Sequence, residues 1–420
     1  MIRTNRFSAA VLGLLLAAAA CQSDEVNRPF QFIAVDPLFD RYISMGNSIT
    51  AGFQSGGIND STQVQSYAVL LAQAMHSPSF LPLLSRPGCP PPYTNVFTQT
   101  RVPSPPGYPV SSGTTCFLRR VSTTTPAPYI SNTAVPGAEV IDVVNNLNAT
   151  SNANSLTQFI LGGLTQVQMM RKAQPTFVSL WIGNNDVLGA ATNSANGGDS
   201  TLITPVTAFQ ANYDAVLDSI ADVNPQGAIL IGVAKVTSIP FFSAGATYWA
   251  IKNGLVPGAP PFPVLFTVSN NCAPVATAIP GARGDSVLVG FPYGAALIGA
   301  AAAGAARNLD CADTVAAIVV PSELAKLVGA VTQYNAHISA QAAAHSWTYF
   351  DPNSALDSLR QIPTAVAPFP ALGAACSTNP FGTAFSCDGV HPSASTHRLI
   401  ATKLRAAINA SYGTAIPPIP

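Results

Sequence analysis

Phe177-Val178-Ser179-Leu180-Trp181-Ile182 is a continuous run dominated by apolar residues, and it ends at Gly183-Asn184-Asn185-Asp186. A run this short, with β-branched and aromatic members and a turn signal behind it, reads as a strand buried on both faces. Arg41–Met45 and Ala228–Val233 read the same way, and Trp347–Phe350 reads as a last strand. Between them, apolar spacing predicts helices over Gln65–Met75, Leu156–Lys172, Phe209–Val223, Pro321–His345 and Pro392–Tyr412. The last two are entered by proline, which the first turn of a helix tolerates. Strands that alternate with helices and are apolar along their whole length indicate a parallel sheet covered on both faces. Such sheets bind ligands at the carboxyl ends of their strands. No internal repeat is evident.

Four short motifs fall at the ends of these elements. Gly46-Asn47-Ser48-Ile49-Thr50 follows the first strand, and Asp388-Gly389-Val390-His391-Pro392 precedes the last helix. Asn132-Thr133-Ala134-Val135-Pro136-Gly137-Ala138 and Trp181–Asp186 lie between. A serine is a poor nucleophile unless a base lies within hydrogen-bond reach and an acid orients that base. Asp388 lies three residues before His391, so one compact turn can carry its carboxylate to the imidazole Nδ1–H and leave Nε2 free to take a proton. Acyl transfer builds negative charge on a carbonyl oxygen, which requires preorganised donors. Glycine lets the backbone approach closely, and an asparagine amide donates without carrying charge. Taken singly, each motif is also an ordinary turn or helix cap; their combination, in order, carries the signal. His76, His337, His345 and His397 have no acid three residues before them and no proline after them, and they read as solvent-facing or capping residues.

The four segments together resemble the ordered sequence blocks of the SGNH hydrolases, also called the GDSL esterase and lipase family. The resemblance spans most of the chain. It implies an α/β fold, a three-layer α/β/α flavodoxin-like sandwich with a central parallel sheet, here carrying long loop insertions. It implies that Ser48 is the nucleophile and, through its N–H, the first oxyanion donor. Gly137 and Asn185 supply the second and third donors, His391 is the general base, and Asp388 orients it. The family pattern has Asp where this chain has Asn47. The expected activity is serine ester hydrolysis through an acyl-serine on acyl, lipid or acetyl esters, with no cofactor. An acyltransferase that passes the same acyl group to a hydroxyl acceptor is the alternative, because the motifs serve the first half-reaction. A catalytically silent surface binding protein is a second alternative. Activity is expected to fall in acid as the imidazole base protonates.

Arg3 and Arg6 precede an apolar core from Ala9 to Ala20, too short to span a membrane. Residues 1–20 resemble a bacterial lipoprotein signal. On that reading Cys21 becomes the lipidated terminus, and Gln22 resembles an outer-membrane sorting pattern; an ordinary secretory signal is the alternative. Residues 21–38 form a tether and 39–415 a single domain, with insertions at about 78–131 and 238–320. Seven cysteines less Cys21 leave six, and an even number in an exported chain suggests disulfides. Nearest neighbours give Cys89–Cys116, Cys272–Cys311 and Cys376–Cys387. The scattered spacing, with no Cys-x-x-Cys pair, argues against a metal site. Charged residues make up only 9% of the chain and net charge is zero, which argues against a nucleic-acid partner. The expected protein is a monomer whose partners are an ester substrate and, through its lipid, a membrane. Ser286–Ala306 carries no charge but contains Pro292 and four glycines; it is expected to be a buried small-residue helix or a lid over an acyl pocket.

Overall fold

Successive side chains along a strand point to opposite faces of the sheet, and here both sets are apolar. In β1 (Tyr42–Gly46), β2 (Phe177–Trp181) and β3 (Gly227–Ile231) every residue is buried. Together with β4 (Thr348–Phe350) they form a parallel sheet in the order β1-β2-β3-β4. Ile43, Met45, Val178, Leu180, Ala228 and Leu230 face one core, shared with Met170, Phe209 and Tyr334 from helices Gln166–Ala173, Val206–Ala221 and Pro321–Ala344. Tyr42, Phe177, Trp181, Ile229 and Ile231 face the other core, shared with Tyr67 and Leu71 of helix Tyr67–Ala74 and Leu404 and Ile408 of helix Ala394–Tyr412. This is the expected three-layer α/β/α sandwich. The structure, a computed structural model, describes residues 33–104, 106, 127–145, 156 and 160–420. Of these, Ala34–Pro420 form one compact unit.

The segment around Asn132 extends the sheet beyond β1. Ser44 N–H donates to Ser131 O (2.9 Å) and Thr133 N–H to Ser44 O (2.9 Å). The second motif thereby runs parallel to the strand that delivers Ser48.

Several expectations are corrected. Leu156–Lys172 is not one helix: Gly162 and Gly163 both have left-handed φ (63° and 87°) and break it. The chain restarts at Thr165, which caps helix Gln166–Ala173 through a reciprocal pair with Gln168. The last helix begins at Ala394 with Ser393 as its cap; Pro392 lies before it, in a bridge to Phe385. Ser286–Ala306 is not a buried helix. It holds a short strand, Leu288–Gly290, and a 12-residue helix, Phe291–Ala302, on which only Gly294 and Ala301 are buried. Among the described residues, no helix is long and apolar enough to cross a membrane.

The second insertion builds a small core of its own around Tyr248, Phe266, Val287 and Leu309. It contains a three-stranded antiparallel sheet and a two-stranded parallel pair. Cys272–Cys311 and Cys376–Cys387 are bonded as expected. Cys89 is disulfide-bonded; its expected partner Cys116, like Cys21 and the signal segment, lies outside the described residues.

Gly46 ends β1 where a side chain has no room. A Cβ there would lie 2.4 Å from both Trp181 O and Thr50 Oγ1, and neither backbone nor neighbouring helix can yield cheaply. Gly46→Ala is therefore expected to lower unfolding free energy by about 3 kcal/mol, read as a drop in urea midpoint at unchanged m-value. A loss within 0.5 kcal/mol would contradict this packing.

Candidate active site

Ser48 is the first residue of a one-turn helix, Ser48–Ala51, that leaves the end of β1. A residue in that position has no intrahelical partner for its N–H. Asn47 caps the helix, its Oδ1 accepting from Ile49 N–H at 3.3 Å, while its buried Nδ2 has no partner. The elbow is clamped by a side chain that the sequence reading passed over. Gln166 Oε1 accepts from Gly46 N–H (2.9 Å) and its Nε2 donates to Gly46 O (2.8 Å). With Gln166 only 1% exposed, this two-way amide pairing fixes the peptide from which Ser48 departs.

The motif from the far end of the chain meets Ser48 directly. His391 Nε2 lies 2.9 Å from Ser48 Oγ, and His391 Nδ1 lies 2.8 Å from Asp388 Oδ2. Ser48 and Asn185 follow strand ends closely, but His391 does not. It stands on a loop far beyond β4, and other contacts hold that loop in place. Asp388 Oδ1 accepts from Val390 N–H and His391 N–H, both 2.9 Å, and from Ser386 Oγ at 3.1 Å. Its Oδ2 also accepts from Gly56 N–H at 2.7 Å. Across the same seam Ser55 N–H donates to Ser386 Oγ at 2.8 Å and Cys387 N–H donates to Ser55 Oγ at 3.2 Å, and Phe53 packs its ring against the imidazole with centroids 4.8 Å apart. Phe53, Ser55 and Gly56 follow the Gly46–Thr50 motif in the chain but carry no signal of their own in the sequence. Burial tends to raise the Asp388 carboxyl, but charge interaction with His391 and the converging hydrogen bonds outweigh it and hold the group at about 2.

Asn185 donates one amide N–H to Ala138 O at 2.8 Å, and an amide has a second to give. This bond ties the third motif to the second. Gly137, beside Ala138, occupies an exposed left-handed turn (φ 84°). A cavity of about 40 Å³ is lined by Ser48, Asn185, Leu188 and His391, with Ile49, Ala234, Ile239 and Val390 among its apolar walls. Gly137 does not line this cavity; its neighbour Ala138 is held to Asn185 by the bond above.

The four remaining histidines lie apart from this arrangement. His337 pairs with Asp214 at 2.7 Å, His345 stacks on Trp347, and His76 is a left-handed residue just past a helix end. His397 departs from its expected solvent or capping role: it is fully buried, and its Nδ1 accepts from Tyr67 N–H at 3.3 Å. Burial first, and then the charge of His391, push its imidazole down to about 3, so it is held neutral.

The GDSL-like Lipase/Acylhydrolase family pattern matches residues 42–404. The chain belongs to this family. No curated protein matches it in sequence. Among solved structures, this GDSL-like chain is similar to a catalytic mutant of an acetylxylan esterase from Geobacillus stearothermophilus (10% identity, 90% of this chain and 95% of that one, TM-score 0.37). It is also similar to an extracellular lipase from Streptomyces rimosus (15%, 87% and 99%, TM-score 0.37). A third is phospholipase A1 from Streptomyces albidoflavus NA297 (14%, 88% and 99%, TM-score 0.37).

Asp186, next to Asn185 in this GDSL-like chain, is 1% exposed and accepts from Val140 N–H at 3.0 Å. Burial, reinforced by Glu139 nearby, raises its carboxyl to about 8. The folded state therefore holds a proton that an unfolded Asp releases near pH 4, so stability falls as pH rises between those values. From pH 5 to 8 this group alone removes on the order of 4 kcal/mol. Asp186→Asn is expected to flatten that decline in urea titrations at the two pH values; equal slopes in both proteins would contradict it.

Proposed function

We propose that the protein is a serine ester hydrolase that works through an acyl-serine on Ser48. The observation that carries this reading is the chain Ser48 Oγ–His391 Nε2 at 2.9 Å and His391 Nδ1–Asp388 Oδ2 at 2.8 Å. His391 takes the Ser48 proton as Oγ bonds to the ester carbonyl carbon. The carbonyl oxygen, now negative, is met by the Ser48 N–H and the second Asn185 amide N–H, with Gly137 N–H as a third donor. His391 returns the proton to the departing alkoxide. Water then repeats the sequence with His391 as base and releases the acid. Asp388 stays ionised throughout and holds the imidazole tautomer, consistent with its low position. These steps use only groups of the chain itself.

Ser48→Ala is expected to lower kcat for p-nitrophenyl ester hydrolysis by about 10⁴-fold or more. Asn185→Ala is expected to lower it by roughly 10²–10³-fold with KM little changed, because its amide acts on charge that develops in the transition state. Turnover that survives Ser48→Ala would sink the reading.

We further propose that Cys21 carries the lipid of an outer-membrane-anchored lipoprotein. Arg3, Arg6, the apolar stretch that ends at Ala20, and Gln22 support it. Palmitate labelling of the full chain in a Gram-negative host should be lost in Cys21→Ser, with the protein released from the membrane fraction. Labelling retained in that variant would exclude Cys21 as the anchor.

A further inference from the structure

Behind the catalytic cavity lies a second one of about 80 Å³. Its walls include Trp181 from the end of β2, Phe350 from β4, Leu356 and Leu359 from helix Asn353–Arg360, and Leu399 and Ile400 from the last helix. Only Thr396 and Lys403 interrupt an otherwise apolar lining, and Lys403 is solvent-exposed. Four residues line both cavities: Ile49, Ala234, Ile239 and Val390. Ile49 directly follows the serine and Val390 directly precedes the histidine, so the shared wall begins at the reacting groups themselves.

We propose that the two cavities form one acyl channel, and that the preferred substrate is an ester of an unbranched, medium-length fatty acid. This rests on the hydrolase reading above and specifies its substrate class. An unpaired polar group placed in such a lining would forfeit its hydrogen bonds to water, so sugar hydroxyls and charged chains are disfavoured, whereas methylenes gain from leaving water. Both cavities are small, about 80 and 40 Å³, so the channel takes a chain of medium length and not a long one. Its far wall comes from helix Asn353–Arg360 and the last helix; of the 238–320 insertion, only Ile239 lines it. The expected lid over an acyl pocket is thus replaced by a channel within the sandwich itself.

The test uses the full chain and p-nitrophenyl esters from acetyl to palmitoyl. The account predicts that kcat/KM rises about fourfold per methylene, peaks near octanoyl or decanoyl, and falls beyond. Ala355→Phe, which fills the channel's half-buried wall, should cut the octanoyl-to-acetyl ratio at least tenfold; Leu359→Trp serves if that variant does not fold. In a parallel series of acetate esters with lengthening alcohols, a matching length preference would overturn the acyl assignment. Calorimetric titration of sodium octanoate into Ser48→Ala separates the two readings. Octanoate binding that Ala355→Phe weakens, without Ser48-dependent turnover of any ester, would keep the channel and sink the hydrolase. Ser48-dependent turnover that is flat or declining from acetyl upward, with no octanoate binding, would sink the channel and keep the hydrolase.

Discussion

The buried Asp388 carboxylate joins the two ends of the fold. Its five hydrogen-bond donors come from its own loop, from His391 and from Gly56, which follows the first strand. An ionised carboxylate in a dry interior is costly unless its acceptor sites are filled, and here they are. The same bonds bring a residue more than three hundred positions away to the serine at the end of β1. Cys376–Cys387 closes the segment just before Asp388, and Phe53 packs against the imidazole. The dyad is positioned by this seam between Phe53–Gly56 and Ser386–His391, with no strand ending at His391.

Ser48 has a different support. Gly46 admits the close approach of Trp181 O and Thr50 that a Cβ would prevent, and Gln166 pairs with both the N–H and the C=O of Gly46. Asn185 and Asp186 then tie the end of β2 to the segment after Gly137 through Ala138 O and Val140 N–H. Three motifs that are distant in sequence become one hydrogen-bonded rim at the strand ends. The raised Asp186 shows what that rim costs: a carboxyl buried beside Glu139 stays protonated at neutral pH.

The sheet was legible because β1, β2 and β3 are apolar on both faces, and a buried parallel strand admits no other composition. Their predicted limits differ from the observed ones by one or two residues. Ser48, Asp388 and His391 were legible because their residue types and order are distinctive. Gly162-Gly163 was read through as helix, although two successive glycines carry the heaviest propensity penalty short of proline. His397 was misread because spacing says nothing of which helical face is buried. It lies on the same face as Ala401, Leu404 and Ile408, a stripe recognisable only with the helix phase fixed. Gln166, Ser55 and Ser386 were invisible because a polar residue gives no periodic signal, and each acquires its role from a partner brought close by the fold. The insertions misled in another way. The small apolar residues of the second one suggested a pocket, but that insertion closes over a core of its own, whereas Leu84, Cys89, Val96 and Ile130 of the first join the main core.

Activation of Ser48 by His391 and Asp388 can be read out by covalent labelling. The full chain is treated with an alkyl fluorophosphonate and its peptides are weighed by mass spectrometry. One adduct is expected, on the peptide that contains Ser48, formed rapidly in the parent protein and suppressed in His391→Ala. An unlabelled Ser48, or equal labelling with His391 removed, would contradict it.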